Sequence, residues 1–278
     1  GGKHFLISNY TGGIQFWEQG GGKMGLIWEN QLDSNRVTSL DFSPKGEYFL
    51  VARDRDWVPH NLYGIAEDRE QPYSNKGFPA ELRRTDNFEL VKAFGSSADQ
   101  AVMSPDGKYV ATNEAYTLSL YNSQTGQELF HVGNPNGDLF PTVTCLAFAP
   151  NGQSIVVGLT SNVLRQYNLQ GKLMKEYKGH KSTIRSVAFA PDGSLLISGS
   201  SDNTAKIWNT STGVELATLM ALGTEDWLVI APNGLFDASA GAMDHLYFAA
   251  GLEIIAMDQL KERYYEPGLL SKVLGLSK

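Results

Sequence analysis

The chain has 278 residues, 42% of them hydrophobic, a single cysteine and a formal net charge of -7. That is enough apolar material for one sizeable repeat-built core, and the acidic balance argues against a general nucleic-acid surface, which needs basic excess on one face. No apolar run approaches the roughly 18 residues of a membrane-spanning helix. The lone Cys145, inside the apolar stretch TVTCLAF, excludes a disulfide framework and fits buried packing in a reducing, cytoplasmic setting.

In chain order, a Ser/Ala-Pro-x-Gly turn recurs at Ser43, Ser104, Ala149, Ala190 and Ala231, with the prolines spaced by 61, 45, 41 and 41 residues. Proline presets one dihedral and the glycine accepts positive φ, so each motif marks a turn between strands. The opening GGKHFLIS aligns with the stretch that begins at Gly107. It gives a first unit with strands over 4–8, 14–17 and 24–28 that lacks an innermost strand, so the polypeptide is expected to continue upstream. The second unit reads as strands over 36–42, 48–52, 81–84 and 88–94. It is interrupted at 53–79 by RDRDWVPHNLYGIAEDREQPYSNKGFP, charged, proline-bearing and punctuated by aromatic residues. Long insertions of this kind are disproportionately functional. The third unit spans 99–132 and the fourth 142–177.

The fifth unit, Gly179 to Leu219, is the fullest. TIRSVAF at 183–189 alternates and is β-branched, Pro191-Asp192-Gly193 turns, and strands follow over 195–198, 205–208 and 214–219. Four strands within about 41 residues is a propeller-blade period. A sixth unit is expected from an innermost strand over 226–230, a second over 235–238 and a hairpin over 245–256. The period then changes to helical over 257–265, with Asp258 as a possible N-cap, and over 268–274, where Leu269, Leu270, Val273 and Leu274 share one side.

Gly179-His180, Ser198, Asp202 and Trp208 stand where a WD-repeat blade carries its Gly-His, Ser/Thr, Asp and Trp, and the chain resembles that family over nearly its whole length. The resemblance implies an all-β propeller over 1–256, with about six blades and the first incomplete, then a short helical extension over 257–278. It also implies a buried hydrogen-bond relay through His180, Ser198, Asp202 and Trp208. The third and fourth units have Tyr121 and Tyr167 in place of the tryptophan, so the motif is uneven.

The run from Trp227 to Gly275 holds Pro232-Asn233-Gly234, Phe236-Asp237-Ala238-Ser239 and RYYEPGLL at 263–270. It resembles a junction found in bacterial WD-repeat proteins fused to a caspase-like protease. This implies a sensing or regulatory module of a larger protein. Cys145 lies in a strand pattern and no histidine sits in a His-Gly context, so the chain is not expected to be the protease itself.

No P-loop, dinucleotide fingerprint or zinc-ligand spacing occurs, and no cofactor is expected. A propeller enzyme would gather carboxylates at its channel, for which Asp99, Glu225 and Asp226 are the candidates. For a protein-binding platform or free-standing scaffold, the family pattern places contacts near the starts of innermost strands: Arg36 and Thr38, Ser97 and Asp99, Thr142 and Thr144, Thr183 and Arg185, Thr224 and Asp226. These are mostly small and polar, whereas binding energy concentrates on Trp, Tyr and Arg. Arg55, Trp57 and Tyr63 of the insertion are therefore the expected anchors for a protein partner.

Overall fold

The computed structural model describes residues 4–9, 12–20, 23–31, 36–53, 77–133, 141–245, 247–250 and 253–276. Among them the chain is all-β apart from three short helices, and five antiparallel sheets succeed one another along the sequence, with one separate hairpin. Each sheet is an up-and-down meander, the blade of a β-propeller.

The first sheet holds β1 His4–Ser8, β2 Gly13–Gly20 and β3 Lys23–Gln31, in that order. The second holds β4 Val37–Phe42, β5 Tyr48–Arg53, β6 Ala80–Arg84 and β7 Leu90–Phe94. The third holds β8 Gln100–Met103, β9 Tyr109–Glu114, β10 Thr117–Asn122 and β11 Glu128–Gly133. The fourth holds β12 Val143–Phe148, β13 Ser154–Leu159, β14 Val163–Asn168 and β15 Leu173–Lys178. All five Ser/Ala-Pro-x-Gly motifs form the same turn: the amide of each glycine bonds the carbonyl three residues back, at 2.8–2.9 Å. Each of those glycines has φ between 69° and 88°, a region that a Cβ would penalise.

Two compact units are defined, 1–143 with 169–171, and 144–168 with 172–278. Inside the first, the period-2 alternation of β5 sends Phe49 and Val51 toward a cluster with Ile14, Val37 and Phe88. It sends Leu50 and Ala52 the other way, toward Phe94, Ala101, Val110 and Tyr121. Every sheet face so used is apolar, and each fully buried large side chain is worth about 1.5–3 kcal/mol. Inside the second unit, Cys145, Val156, Leu164 and Tyr177 pack against Ile184, Leu196 and Trp208.

The fifth sheet departs from the expected pattern. Beyond β16 Ile184–Phe189, β17 Leu195–Ser200, β18 Ala205–Asn209 and β19 Glu215–Leu222 it continues into β20 Asp226–Ile230 and β21 Phe236–Ala238. The strands expected to open a sixth blade therefore widen the fifth. The cause is local. β19 runs on through apolar Met220, Ala221 and Leu222, and only residues 223–225 lead to β20, with Gly223 at φ 69°. So short a connection folds back as a hairpin, pairing Leu222 with Asp226 and Ala221 with Trp227.

The expected hairpin forms as β22 Tyr247–Ala250 with β23 Glu253–Ala256, but as its own two-stranded sheet rather than as part of a blade. An additional helix, α1 Ala240–His245, precedes it. The Ser239 hydroxyl accepts the Ala242 amide at 3.3 Å, an N-cap contact that starts the helix. Helix α2 Met257–Tyr264 begins one residue before Asp258, which is therefore not its cap. In α3 Leu269–Val273 the N-cap is Gly268, at φ 71°. Phe88, expected within a strand, is instead a turn residue at φ 64°, its ring buried with Trp28 and Phe49.

Candidate functional site

The fifth sheet carries a continuous polar chain in its interior. His180 enters from the connection before β16, Ser198 from β17, Asp202 from the β17–β18 turn and Trp208 from β18. His180 Nδ1 lies 2.9 Å from Asp202 Oδ2, and its Nε2 lies 2.9 Å from Ser198 Oγ. The Trp208 indole N–H donates to the same Ser198 oxygen at 2.8 Å. Asp202 accepts further bonds from the Thr204 hydroxyl at 2.7 Å and the Lys181 amide at 2.7 Å. Burial acts to raise the Asp202 pKa, but these donors and His180 outweigh it and hold the carboxyl well below the usual range. With Asp202 as acceptor, His180 Nδ1 carries a proton, and Ser198 Oγ bonds Nε2 while a lone pair accepts the indole N–H.

The order Asp–His–Ser is that of a hydrolase triad, yet the setting is not. Ser198 is 1% exposed and already accepts the Trp208 N–H, while the side chain of His180 is fully buried. A nucleophile must reach a substrate; this one ends against an indole. Cys145 is no better placed, because burial pushes its thiol up to about 11.

The expected inner-strand positions divide into tied and open residues. Asp99 accepts the Ala115 amide at 2.7 Å, so it closes a turn. The hydroxyl of Thr144 donates to the carbonyls of Ile184 and Gly158, at 2.6 and 3.0 Å, joining β12 to β16 and β13. Asp226 accepts the Ser239 hydroxyl at 2.7 Å. It sits at the start of β20, on the outer extension of the fifth sheet rather than on an innermost strand, as the short 223–225 hairpin dictates. Arg36 and Arg185 are exposed, and Arg185 Nε donates to Ser201 Oγ at 2.7 Å. Arg55, Trp57 and Tyr63 lie outside the described residues. Asp99 and Asp226 belong to different units and Glu225 is exposed. Among the described residues no group of three or more His, Cys, Asp and Glu is arranged to hold a metal.

The base of the insertion is well defined on its described side. The Arg53 guanidinium lies 4.7 Å from the Phe78 ring centroid and bonds Glu81 at 2.5 Å. The second oxygen of Glu81 takes Arg83 at 2.8 Å, and the Ala98 amide donates to the Phe78 carbonyl at 2.8 Å.

The two halves of the C-terminal signature meet in space. Tyr265 bridges to Phe236 in parallel, and the Glu266 amide donates to the Phe236 carbonyl at 2.8 Å. The Gly268 amide donates to buried Asp237 at 2.8 Å, while Leu269 sinks into a cluster with Ala217, Val229 and Ala231. FDAS and RYYEPGLL are thus two sides of one clamp on the outer strands of the fifth sheet. Sequence spacing could not pair them, because 24 residues separate Ser239 from Tyr264.

Residues 171–209 match the family model described as WD domain, G-beta repeat, a stretch that covers His180, Ser198, Asp202 and Trp208. No curated protein matches the chain.

Proposed function

We propose that this chain is a non-catalytic protein-interaction platform, the sensing or regulatory module of a larger bacterial protein that carries a caspase-like protease or a similar effector. The single observation that carries the reading is the coincidence of the WD-repeat match with the buried, self-satisfied relay of the fifth sheet. Polar groups that elsewhere do chemistry are here consumed in holding a blade, which leaves surfaces and loops for recognition. The clamp of FDAS against RYYEPGLL supports the junction reading, since it ties the sheet to the segment that would lead into an effector. Recognition is assigned first to Arg55, Trp57 and Tyr63 of the insertion; Arg36, Asp99, Thr144, Arg185 and Asp226 are further candidate contacts, each taken within its own unit. The working compartment is the cytoplasm.

The test uses the full reading frame. An adjoining domain with its own His and Cys is expected, and Trp57→Ala with Tyr63→Ala should lower affinity for the activating partner at least tenfold and slow protease activation. A frame with no effector on either side overturns the regulatory reading and makes the protein a free-standing adaptor. Unchanged partner affinity removes the insertion as the recognition element.

A further inference from the structure

The widened fifth sheet holds a groove that the repeating blade would not have. Its register aligns Ser186, Gly199, Ala205, Leu219 and Val229 in one row from β16 to β20. The first three side chains are small, so the floor of the row is low at its inner end. Two walls rise beside it. Trp227 stands opposite Ala221 with 42% of its surface exposed, a large apolar side chain left in water. Leu270 belongs to α3, which is held down by its buried neighbour Leu269. The cavity encloses about 570 Å³, within the range of about 300–1,000 Å³ typical of ligand sites.

Its charge is one-sided. Among the described residues, Arg185 is the single ionisable residue of the lining, and no carboxylate shares the groove. The bond from Arg185 Nε to Ser201 fixes the plane of the guanidinium. Its two terminal nitrogens have no partner among the described residues, and a fork held in this way matches a carboxylate in bidentate fashion. An apolar shelf beside an indole, with one oriented guanidinium at its mouth, specifies its occupant by shape and by charge.

We propose that this groove seats a short peptide segment of a partner protein, in which a large apolar side chain lies next to a carboxylate. The apolar side chain fills the space over Gly199 and Ala205 against Trp227, and the carboxylate pairs with Arg185. The proposal rests on the interaction-platform reading, to which it adds a second surface built from residues outside the insertion.

The test is a selection of displayed random eight-residue peptides on the intact chain, followed by titration of a synthetic winner. Enrichment of Leu, Phe or Trp within three positions of Asp or Glu is expected. Trp227→Ala and Arg185→Glu should each weaken the winner at least tenfold, and Ala205→Leu, which fills the shelf from below, should do the same. The exposure of Arg185 predicts an unchanged melting temperature for Arg185→Glu, and Trp227→Ala, which removes a partly buried ring, is compared with wild type at a temperature where both remain folded. Trp57→Ala with Tyr63→Ala should leave this peptide unaffected. No enrichment, enrichment of basic peptides, or a winner indifferent to Trp227→Ala and Arg185→Glu overturns the groove. If winners depend on Trp57 and Tyr63 instead, the groove fails while the platform reading stands.

Discussion

The second and fifth sheets bury polar groups at comparable depth and satisfy them with different chemistry. In the second, Glu81 sits between Arg53 and Arg83, with side-chain exposures of 10%, 5% and 15%. Arg83 also donates to the Phe88 carbonyl at 2.9 Å, and each guanidinium stacks 4.7 Å from a phenylalanine ring centroid, Phe78 for Arg53 and Phe88 for Arg83. In the fifth, one carboxylate anchors a chain of imidazole, hydroxyl and indole, and the aromatic members also meet edge to face: Tyr177 on Trp208 at 5.8 Å and His180 on Trp208 at 6.1 Å. Ions taken from water owe most of their stability to the partner that remains, so removing the shared partner is severe. A relay anchored on one carboxylate loses desolvated hydrogen bonds one at a time, each a smaller loss. The difference teaches that one meander backbone tolerates either solution.

The largest expected effect breaks the second sheet. Glu81→Ala leaves two guanidinium groups facing each other in a buried site and should destabilise by about 3–5 kcal/mol in denaturant unfolding. A loss below about 1 kcal/mol would mean that the cluster is hydrated and that the contrast is false. Next comes Ser198→Ala, which orphans the Trp208 N–H and one side of His180. About 1–3 kcal/mol is expected, and the loss should be non-additive with Asp202→Asn in a double-mutant cycle, because both act through His180. Strict additivity would dissolve the relay into independent contacts.

The smallest effect sharpens the comparison through pH. Asp202 has a folded-state pKa below its unfolded value of about 3.9, so its contribution is complete above about pH 4 and disappears as the pH falls below it. The stability gap between wild type and Asp202→Asn should therefore narrow in acid. Asp41 behaves oppositely. Burial raises its pKa against the Met103 amide bond at 2.8 Å, so its ionised form costs stability above that raised value, and the cost is relieved on acidification. Asp41→Asn should be more stable than wild type at pH 7, and the gain should vanish below about pH 4. Urea unfolding at pH 7 and pH 3.5 measures both, and parallel pH slopes for the two variants would show that the carboxylates are not distinguished by their surroundings.

Much of this was legible in the sequence because it is local. The Ser/Ala-Pro-x-Gly turns, the alternation of strands such as Phe49 to Ala52, and the spacing of His180, Ser198, Asp202 and Trp208 each encode their geometry within one blade period. The Ser239 cap of α1 was also written there, ahead of an alanine-rich run, although the surrounding strand pattern masked it. The pairing of β20 with β19 left a fainter trace in the apolar extension to Leu222 and the three-residue connection at Gly223. Alternation marks Asp226 to Ile230 as a strand without naming its neighbour.

The sequence by itself determined the blade, since turn chemistry and period-2 burial act between residues at most a few positions apart. Only the tertiary structure decided that the last strands widen the fifth sheet, that RYYEPGLL closes on FDAS, and that Trp227, Ala205 and Arg185 share one groove. Those outcomes turn on which edges and faces remain unsatisfied once the blades have formed, and on contacts between residues tens of positions apart.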